Sequence, residues 1–274
     1  MRGSLGEKIG EGGSADIHAW APGQVVKLFK PARGRQRLSR HEAQMTRAAF
    51  AAGLPAPEVF DEVTLEGRFG IVMSRFDGPT LLQLLQTRAM TPEQAGAILA
   101  ALSISVHKTP PPPDVISLRD LIQAVLQSPG NLLPKHLARG VLALLENLPP
   151  GDGLCHGDLL AGNVIMTAEG PRLIDWTWTR RAGPGLDLGH CHVVLCELVP
   201  ENHDDPERPR ALNAAVQSEY ARLAGMSPME LTAVMESYLP IVRAFFLLVW
   251  RGTPALRERL IQRVEATLRS GSHP

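Results

Sequence analysis

Three oxygen-bearing side chains near the middle of the chain, Asp158, Asn163 and Asp175, have the types and the spacing for phosphoryl transfer. Four residues separate Asp158 from Asn163, which is the spacing of a phosphotransferase catalytic loop. Asn163 and Asp175 offer the hard oxygen ligands that suit Mg²⁺ bridging nucleotide phosphates. Asp158 comes just before them, where its carboxylate would orient or deprotonate an attacking hydroxyl. The pattern therefore predicts Mg²⁺-dependent chemistry with Asp158 as the catalytic residue.

A β-hairpin is needed to bring the two metal ligands together. Val164–Met166 and Arg172–Ile174 are short apolar runs on either side of the turn residues Glu169-Gly170. If these runs pair, Asn163 and Asp175 come level with each other at the open end of the hairpin. An ordinary hairpin with polar ends is the alternative, but the combination of loop spacing and hairpin favours the functional interpretation.

Two charged residues are stranded in apolar surroundings further upstream. Lys27 lies within the apolar strand Val25–Phe29, and Glu42 falls on the apolar face of a helix predicted over Arg35–Ala52. Because a buried ammonium needs a partner, we predict that Lys27 and Glu42 form an ion pair that holds Lys27 against the α- and β-phosphates. The alternative is a snorkelling lysine and a solvated glutamate.

A glycine-rich turn precedes the lysine strand. Its backbone amides can approach phosphate closely, and the residues that would do so are Gly10, Gly12, Gly13 and Ser14. A dinucleotide-binding motif would follow a strand and open a helix, whereas these glycines precede a strand. A simple turn is the alternative, but the position ahead of Lys27 favours a flap over nucleotide phosphates.

The motif His-Gly-Asp-x-x-x-x-Asn at residues 156–163, followed by Ile174-Asp175-Trp176, resembles the aminoglycoside phosphotransferase and choline kinase group, which shares the protein-kinase-like fold. The resemblance covers nearly the whole chain. It implies transfer of the γ-phosphoryl group of ATP or GTP to a hydroxyl of a small molecule, with Mg²⁺. It also implies further nucleotide-binding residues at the hinge, namely Met73, Ser74 and Phe76.

The chain departs from that group at two points. Leu159-Leu160-Ala161 stands where an aromatic residue or Leu and then His-Pro often follow the catalytic Asp, and Ala15 stands where a third kinase glycine would fall. The missing His-Pro and the neutral net charge do not favour a polycationic acceptor. An aminoglycoside, another amino-alcohol, a sugar and a nucleoside all remain open.

Two more residues are expected to support the catalytic loop. Asp187 opens a helix, which it could cap while also accepting a hydrogen bond from the loop. His156 is expected to orient the loop rather than to transfer protons. His190, Cys191, His192 and Cys196 have no second ligand pair at a zinc spacing, so we interpret them as buried packing.

The fold class predicted from these elements is α+β, a protein-kinase-like bilobal fold. A small antiparallel β-sheet lobe with one helix is expected over residues 1–77, where it would bind the nucleotide. A larger, mostly helical lobe is expected over residues 78–274, with the catalytic loop and the substrate pocket. The punctuation at Asp77-Gly78-Pro79 marks the predicted boundary.

Composition excludes several classes of partner. The 28 basic residues balance the 28 acidic ones, which argues against nucleic acid and against an anionic membrane surface. The longest apolar run near the C-terminus, Ala244–Trp250, is shorter than the ~20 residues of a membrane span. Three sparse cysteines favour a reducing cytoplasm over a disulfide-built secreted domain.

Two other functions were weighed against a small-molecule kinase. A protein kinase is disfavoured because only eleven residues separate Asp175 from Asp187, too few for an activation segment, and because Gly157 replaces the loop arginine. A nucleotide-binding pseudo-kinase without transferase activity is the second alternative. It is disfavoured because Lys27, Asp158, Asn163 and Asp175 are all present.

Overall fold

The computed structural model describes residues 5–32, 34–127, 133–148, 151–199, 205–249 and 253–270. The chain divides into two compact units, each formed from two separate stretches of sequence. The first unit comprises residues 1–90 and 160–179, and the second comprises residues 91–159 and 180–274.

A five-stranded antiparallel sheet is the centre of the first unit, with strand order β1-β2-β3-β5-β4. The strands are β1 (Lys8–Glu11), β2 (Ala15–Ala21), β3 (Gln24–Phe29), β4 (Val59–Leu65) and β5 (Arg68–Ser74). Strand β3 lies in the middle, and five consecutive residues of it, Val25 to Phe29, are buried. Lys27 is one of them, opposite Ile71 of β5.

Helix α1 (Arg35–Ala51) packs its apolar side against this sheet. Glu42 and Thr46 are buried on that side together with Ala43, Met45 and Ala49. The later stretch of the unit holds the hairpin of β7 (Val164–Thr167) and β8 (Gly170–Leu173), in which Val164 pairs with Leu173. Short 3₁₀ turns precede and follow the hairpin, at Ala161–Asn163 and Trp176–Trp178.

The segment around Gly78 ties this hairpin to the rest of the first unit. The amide of Met166 donates to the Pro79 carbonyl over 2.9 Å, and Thr80 forms an isolated antiparallel β-bridge with Ile165. Gly78 has a φ of 152°, and a Cβ there would overlap the Met166 carbonyl, so only glycine fits. Helix α2 (Leu81–Gln86) follows, with Thr80 and Gln83 forming a capping box.

The second unit is mostly helical. Its helices are α3 (Pro92–His107), α4 (Leu118–Leu126), α5 (Lys135–Asn147), α6 (Gly185–His192), α7 (Glu207–Ala224), α8 (Pro228–Val249) and α9 (Pro254–Ser270). Helix α6 continues into a π-helical segment, Val193–Leu198. A two-stranded sheet joins β6 (Gly153–Cys155) to β9 (Arg180–Ala182), and α3 packs extensively along α7.

Helix α8 is apolar enough to need comment. Among the described residues it alone has the length and composition of a membrane span, over 228–248, yet 61% of its apolar 18-residue window is buried within the protein. A core helix passes the same test. The apolar run 244–250 is the end of this helix, and Trp250 lies outside the described residues.

The predicted architecture of a small antiparallel sheet with one helix, ahead of a larger mostly helical part, is confirmed. The boundary predicted after residue 77 stays a prediction; the first stretch of the first compact unit ends at residue 90, and residues 160–179 belong to the same unit. The pairing of β6 with β9 was not predicted. Helix α6 begins at Gly185, so Asp187 lies in its first turn and does not cap it.

The contact between α3 and α7 generates a stability prediction. A Cβ on Gly96 would lie 2.5 Å from the Cβ of Ala215 and 3.0 Å from the amide nitrogen of Val216. Overpacking costs about 1–3 kcal/mol, which exceeds the roughly 1 kcal/mol that alanine gains over glycine in a helix. We expect Gly96→Ala to lower the melting temperature by a few degrees in thermal unfolding. Ala97→Ser, on the exposed side of α3, should leave it nearly unchanged, and equal melting temperatures for the two variants would contradict this packing.

Candidate active site

A buried cluster of charges lies between strand β3, helix α1 and the 3₁₀ turn after the hairpin. The Lys27 ammonium donates to Glu42 Oε1 over 2.6 Å, and its Nζ lies 3.1 Å from Asp175 Oδ1. The side chains of Lys27 and Glu42 are 9% and 2% exposed, whereas that of Asp175 is 31% exposed. The predicted ion pair is therefore present, and a second carboxylate extends it toward solvent.

The pKa of Lys27 follows from this arrangement. Burial alone would lower it, but the facing carboxylates of Glu42 and Asp175 raise it above the ordinary lysine value, so the ammonium stays charged. Burial, and then the negative charge of Asp175, raise the pKa of Glu42, while Lys27 opposes them. With both acids ionised, one positive charge faces two negative ones, and the cluster carries a net negative charge.

Thr177 joins the two carboxylates of this cluster. Its hydroxyl oxygen lies 2.6 Å from Glu42 Oε2 and 2.7 Å from Asp175 Oδ1. Asp175 itself has a left-handed backbone, with φ and ψ both 65°. A non-glycine residue in that region is uncommon and is a pointer to function.

The hairpin positions the two predicted metal ligands by backbone pairing. The amide of Ile174 donates to the Asn163 carbonyl over 2.9 Å, so Asn163 and Asp175 meet at the same end of the hairpin, as predicted. An amide oxygen and a carboxylate oxygen are donors that Mg²⁺ accepts. The donor set therefore fits Mg²⁺, with Asn163 and Asp175 as the residues that would hold it.

The glycine-rich turn joins β1 to β2. The Gly12 amide donates to the Ala15 carbonyl over 2.8 Å and closes the turn, and a Cβ on Gly13 would meet nothing within 4 Å. Gly10 ends up within β1, and Ser14 is half-buried. Lys30 anchors the turn, since its ammonium donates to Glu11 over 2.7 Å and to the Gly12 carbonyl over 2.9 Å.

The residues predicted at the hinge lie at and after the end of β5. Met73 is buried in the core of the sheet. The Ser74 hydroxyl accepts from the Glu58 amide over 3.2 Å. Phe76 is half-buried, and the Arg172 guanidinium of the hairpin lies 5.5 Å from the centre of its ring. Their role in nucleotide binding stays a prediction.

The second unit holds residues 156–159 of the predicted catalytic loop, and Asp187 is their anchor. The Asp187 carboxylate accepts from the His156 amide over 2.9 Å and from the Gly157 amide over 2.6 Å. It also contacts His107 Nε2 at 3.0 Å, and the other ring nitrogen of His107 lies 2.8 Å from the Tyr220 hydroxyl. Because an ionised carboxylate only accepts, the Nε2 of His107 carries a proton and donates to Asp187.

The groups of this network also determine the pKa of Asp187. Burial would raise it, but the hydrogen bond and charge of His107, with the Gly157 amide, lower it below the ordinary value. His156 is fully buried, and its Nδ1 lies 3.3 Å from the Asp158 amide that donates to it. The loop ahead of Asp158 is thus fixed by Asp187 and His156, the two residues predicted to support it.

His190 lies beside the predicted catalytic residue. Its Nε2 is 3.8 Å from Asp158 Oδ1, and its ring stacks on Phe246 with centroids 5.0 Å apart. Burial lowers the pKa of His190 to about 4, so the ring is neutral at physiological pH. The packing interpretation accounts for its burial and stacking. The approach to Asp158 connects helix α6 to the catalytic loop.

A metal site elsewhere is not indicated by the described residues. His107, Cys155 and Asp187 form their one group of metal-ligand types with ligand atoms within 4.8 Å, and His190, Cys191, His192 and Cys196 form none. In that group His107 and Asp187 already bond to each other, and the Cys155 thiol faces the Ala182 and Gly183 carbonyls. Burial raises the pKa of Cys155 well above its usual range, which disfavours the thiolate that a metal needs.

Each predicted site residue is therefore placed in one of the two units. The first unit brings together Lys27, Glu42, Asn163 and Asp175, and the second holds Asp158 with His156 and Asp187. Sequence reasoning missed Thr177 and His107 as parts of these networks. A hydroxyl two residues after a metal-ligand aspartate is a signal that could have pointed to Thr177, whereas no local pattern singles out His107.

The chain is similar to known phosphotransferases. The model of a phosphotransferase enzyme family (APH) matches residues 9–226. A comparison with curated proteins finds no match.

Solved structures share the fold. Aminoglycoside phosphotransferase APH(2'')-Ib with ADP bound is 17% identical, with 95% of this chain and 92% of that chain covered and a TM-score of 0.56. The GDP and kanamycin complex of APH(2'')-IIIa is 16% identical over 98% and 93% of the chains, with a TM-score of 0.54. Choline kinase from Cryptosporidium parvum Iowa II is 15% identical over 98% and 90%, with a TM-score of 0.60. At these identities the likeness shows the fold alone, and the predicted kinase-like fold is confirmed.

Because Asp187 is hydrogen-bonded to several buried groups, we expect its replacement by alanine to lower the stability of the protein strongly. Asp187→Ala leaves the buried amides of His156 and Gly157 without their acceptor, and removing one partner of a buried charged network costs about 3–5 kcal/mol. We expect that loss in urea unfolding at neutral pH, with a smaller one for Asp187→Asn, which keeps one oxygen. Since the folded pKa of Asp187 is lowered, its contribution should be present at neutral pH and lost as pH falls through that pKa.

Asp152→Ala serves as the control, because Asp152 is exposed in the same unit. It should change the free energy of unfolding by less than about 0.5 kcal/mol. An Asp187→Ala protein as stable as this control would contradict the anchoring role of Asp187.

Proposed function

We propose, because the chain belongs to the phosphotransferase enzyme family, that it is a small-molecule kinase which transfers the γ-phosphoryl group of ATP or GTP to a hydroxyl of its substrate. The observation that carries the proposal is the buried Lys27 ammonium, held by Glu42 at 2.6 Å and adjacent to Asp175 at 3.1 Å. A cation held this way beside a carboxylate suits phosphates that arrive with a divalent metal.

The residues of the first unit would bind the nucleotide. Lys27 contacts the α- and β-phosphates, Glu42 holds Lys27 in place, and the turn of Gly12 and Gly13 covers the phosphates with its backbone amides. Asn163 and Asp175 hold Mg²⁺, which when bound neutralises charge on the phosphate oxygens. Similar structures are complexes with ADP, GDP or ATP, which supports a nucleotide co-substrate.

Asp158 would act on the acceptor. Its carboxylate takes the proton of the substrate hydroxyl as that oxygen bonds to the γ-phosphorus. The bond between the γ-phosphorus and the β–γ bridging oxygen breaks, and the nucleoside diphosphate leaves with that electron pair. His156 and Asp187 keep the loop in place for this step.

The acceptor belongs to a class of small hydroxylated molecules. Related folds include proteins named for aminoglycosides and for choline, so an aminoglycoside and another amino-alcohol are candidates beside sugars and nucleosides, although the neutral net charge does not favour a polycationic acceptor. Two of the three free cysteines are buried, which agrees with the proposed reducing cytoplasm.

The experiment that tests the function is a screen of hydroxylated metabolites and antibiotics with ATP or GTP and Mg²⁺. Phosphorylated product gains about 80 Da in mass, the mass of the transferred group. Nucleotide binding that depends on Mg²⁺, without transfer to any acceptor or to water, would instead support the pseudo-kinase alternative.

Substitution of Asp158 should separate chemistry from binding. Asp158→Asn removes the proton acceptor but leaves the nucleotide-binding residues intact. Positioning and base assistance contribute ~10² to 10⁴ in rate, so we expect kcat to fall by that factor. Nucleotide affinity, measured by calorimetry, should stay close to that of the unmodified protein. Retention of normal kcat would rule out Asp158 as the base.

Lys27 and Glu42 should act as one unit in holding the nucleotide. Lys27→Met should raise the KM for nucleotide and lower kcat, and Glu42→Gln should do the same more mildly, because only Lys27 contacts the phosphates. The double variant should lose less than the sum of the two single losses, with a coupling of about 0.5–3 kcal/mol. The measurement is a double-mutant cycle on kcat/KM at fixed Mg²⁺.

Lys108→Met is the matched control, since Lys108 is exposed at the end of α3. It should change neither constant. Additive losses for Lys27 and Glu42 would show that the ion pair has no part in nucleotide binding.

A further inference from the structure

The Thr177 hydroxyl has an unusual environment for a buried threonine. It is 5% exposed and lies between two carboxylates, 2.6 Å from Glu42 and 2.7 Å from Asp175. These two acids come from α1 and from the end of the hairpin, and the contact to Glu42 spans 135 residues of sequence. The hydroxyl is thus a direct link between the lysine-holding acid and the predicted metal ligand.

The same oxygen of Asp175 is contacted from two sides. Oδ1 lies 2.7 Å from the Thr177 hydroxyl and 3.1 Å from the Lys27 ammonium. A hydroxyl has a single proton, so it donates fully to one carboxylate at a time and keeps the two acids close. The inner oxygen is fixed in this way, while the Asp175 side chain remains 31% exposed.

The backbone of Asp175 needs such an anchor. Its φ of 65° is sparsely populated for a residue with a side chain, and strain of this kind costs about 1–3 kcal/mol. A hydrogen bond from the residue two positions later offsets part of that cost and selects one direction for the carboxylate. Serine could provide the same bond, but valine, with the same shape, could not.

We propose that Thr177 is a positioning residue that fixes the Asp175 carboxylate for a divalent cation and couples it to the Lys27–Glu42 pair. This proposal rests on the proposed function, since it assigns the metal to that same site. It concerns metal binding by the first unit and does not depend on which acceptor is phosphorylated.

A purely structural role makes a different prediction. If Thr177 only satisfied buried acceptors, its loss would lower the melting temperature without a specific effect on metal binding. Thr46 is the comparison that the fold offers: it is 2% exposed in the same unit, and its hydroxyl donates to the backbone carbonyl of Glu42 over 2.7 Å. Thr46→Val therefore removes a buried hydroxyl without touching a carboxylate.

The test is a titration of the full chain with Mn²⁺ in the presence of ADP, in which bound metal is read by electron paramagnetic resonance. Melting temperatures of all variants are measured alongside, and each titration is run well below them. Because a hydrogen bond to a charged group is worth about tenfold or more in an equilibrium constant, Thr177→Val should raise the Kd for Mn²⁺ about tenfold. Thr177→Ser should stay within about threefold of the unmodified protein, and Thr46→Val should leave the Kd unchanged.

Thr177→Ala provides a second hydroxyl-free variant with less demand on packing, should Thr177→Val fail to fold, and it should weaken Mn²⁺ binding to a similar extent. The proposal is overturned if the hydroxyl-free variants bind Mn²⁺–ADP as tightly as Thr46→Val, or if Thr177→Ser loses as much affinity as Thr177→Val. If the unmodified protein binds Mn²⁺–ADP but phosphorylates no acceptor, the proposed function is contradicted and the role of Thr177 in metal binding is unaffected. Unmodified protein that binds no Mn²⁺–ADP would overturn both.

Discussion

The ammonium of Lys27, buried in the middle strand of an antiparallel sheet, is the constraint from which the first unit is best understood. A charge in that position must be compensated, and its two carboxylates come from helix α1 and from the turn after the hairpin. The sheet, the helix and the hairpin therefore converge on one cation. A buried ion pair contributes little net stability, so an apolar residue would serve the sheet at least as well. The charge is better explained by an anionic ligand.

In the second unit the central buried charge is negative, and it holds a loop in place. The segment 156–159 of the predicted catalytic loop has no regular structure, and two of its amides point to one buried carboxylate, that of Asp187. His107 and Tyr220, from α3 and α7, complete the chain of hydrogen bonds. The packed helices α3 and α7 are thus connected to the loop through the side chains of His107, Tyr220 and Asp187. A loop fixed in this way can present Asp158 in one orientation.

Much of this could be predicted because local physics decides it. A lysine within an apolar strand and a glutamate on the apolar face of a helix each require a partner, so their pairing followed from two local patterns. The hairpin followed from turn residues between two apolar runs. His107 could not be found in this way, because its partner Asp187 is 80 residues distant and no periodic pattern includes it. Thr177 has one local signal, its place two residues after Asp175, but its contact to Glu42 spans 135 residues. The pairing of β6 with β9 was missed for a similar reason, since strands of three residues carry almost no signal.

The discontinuity of the first unit has a consequence for how the protein is made. On the ribosome the five-stranded sheet and α1 emerge first, and Lys27 and Glu42 can meet as soon as residue 51 has left the exit tunnel. Asp175 and Thr177 follow only after the whole stretch 91–159, which belongs to the other unit. At about 5–20 residues per second the nascent sheet waits on the order of ten seconds for these residues. During that interval Lys27 and Glu42 lack their later partners and are accessible to chaperones. A protein truncated anywhere before residue 179 would never complete the cluster.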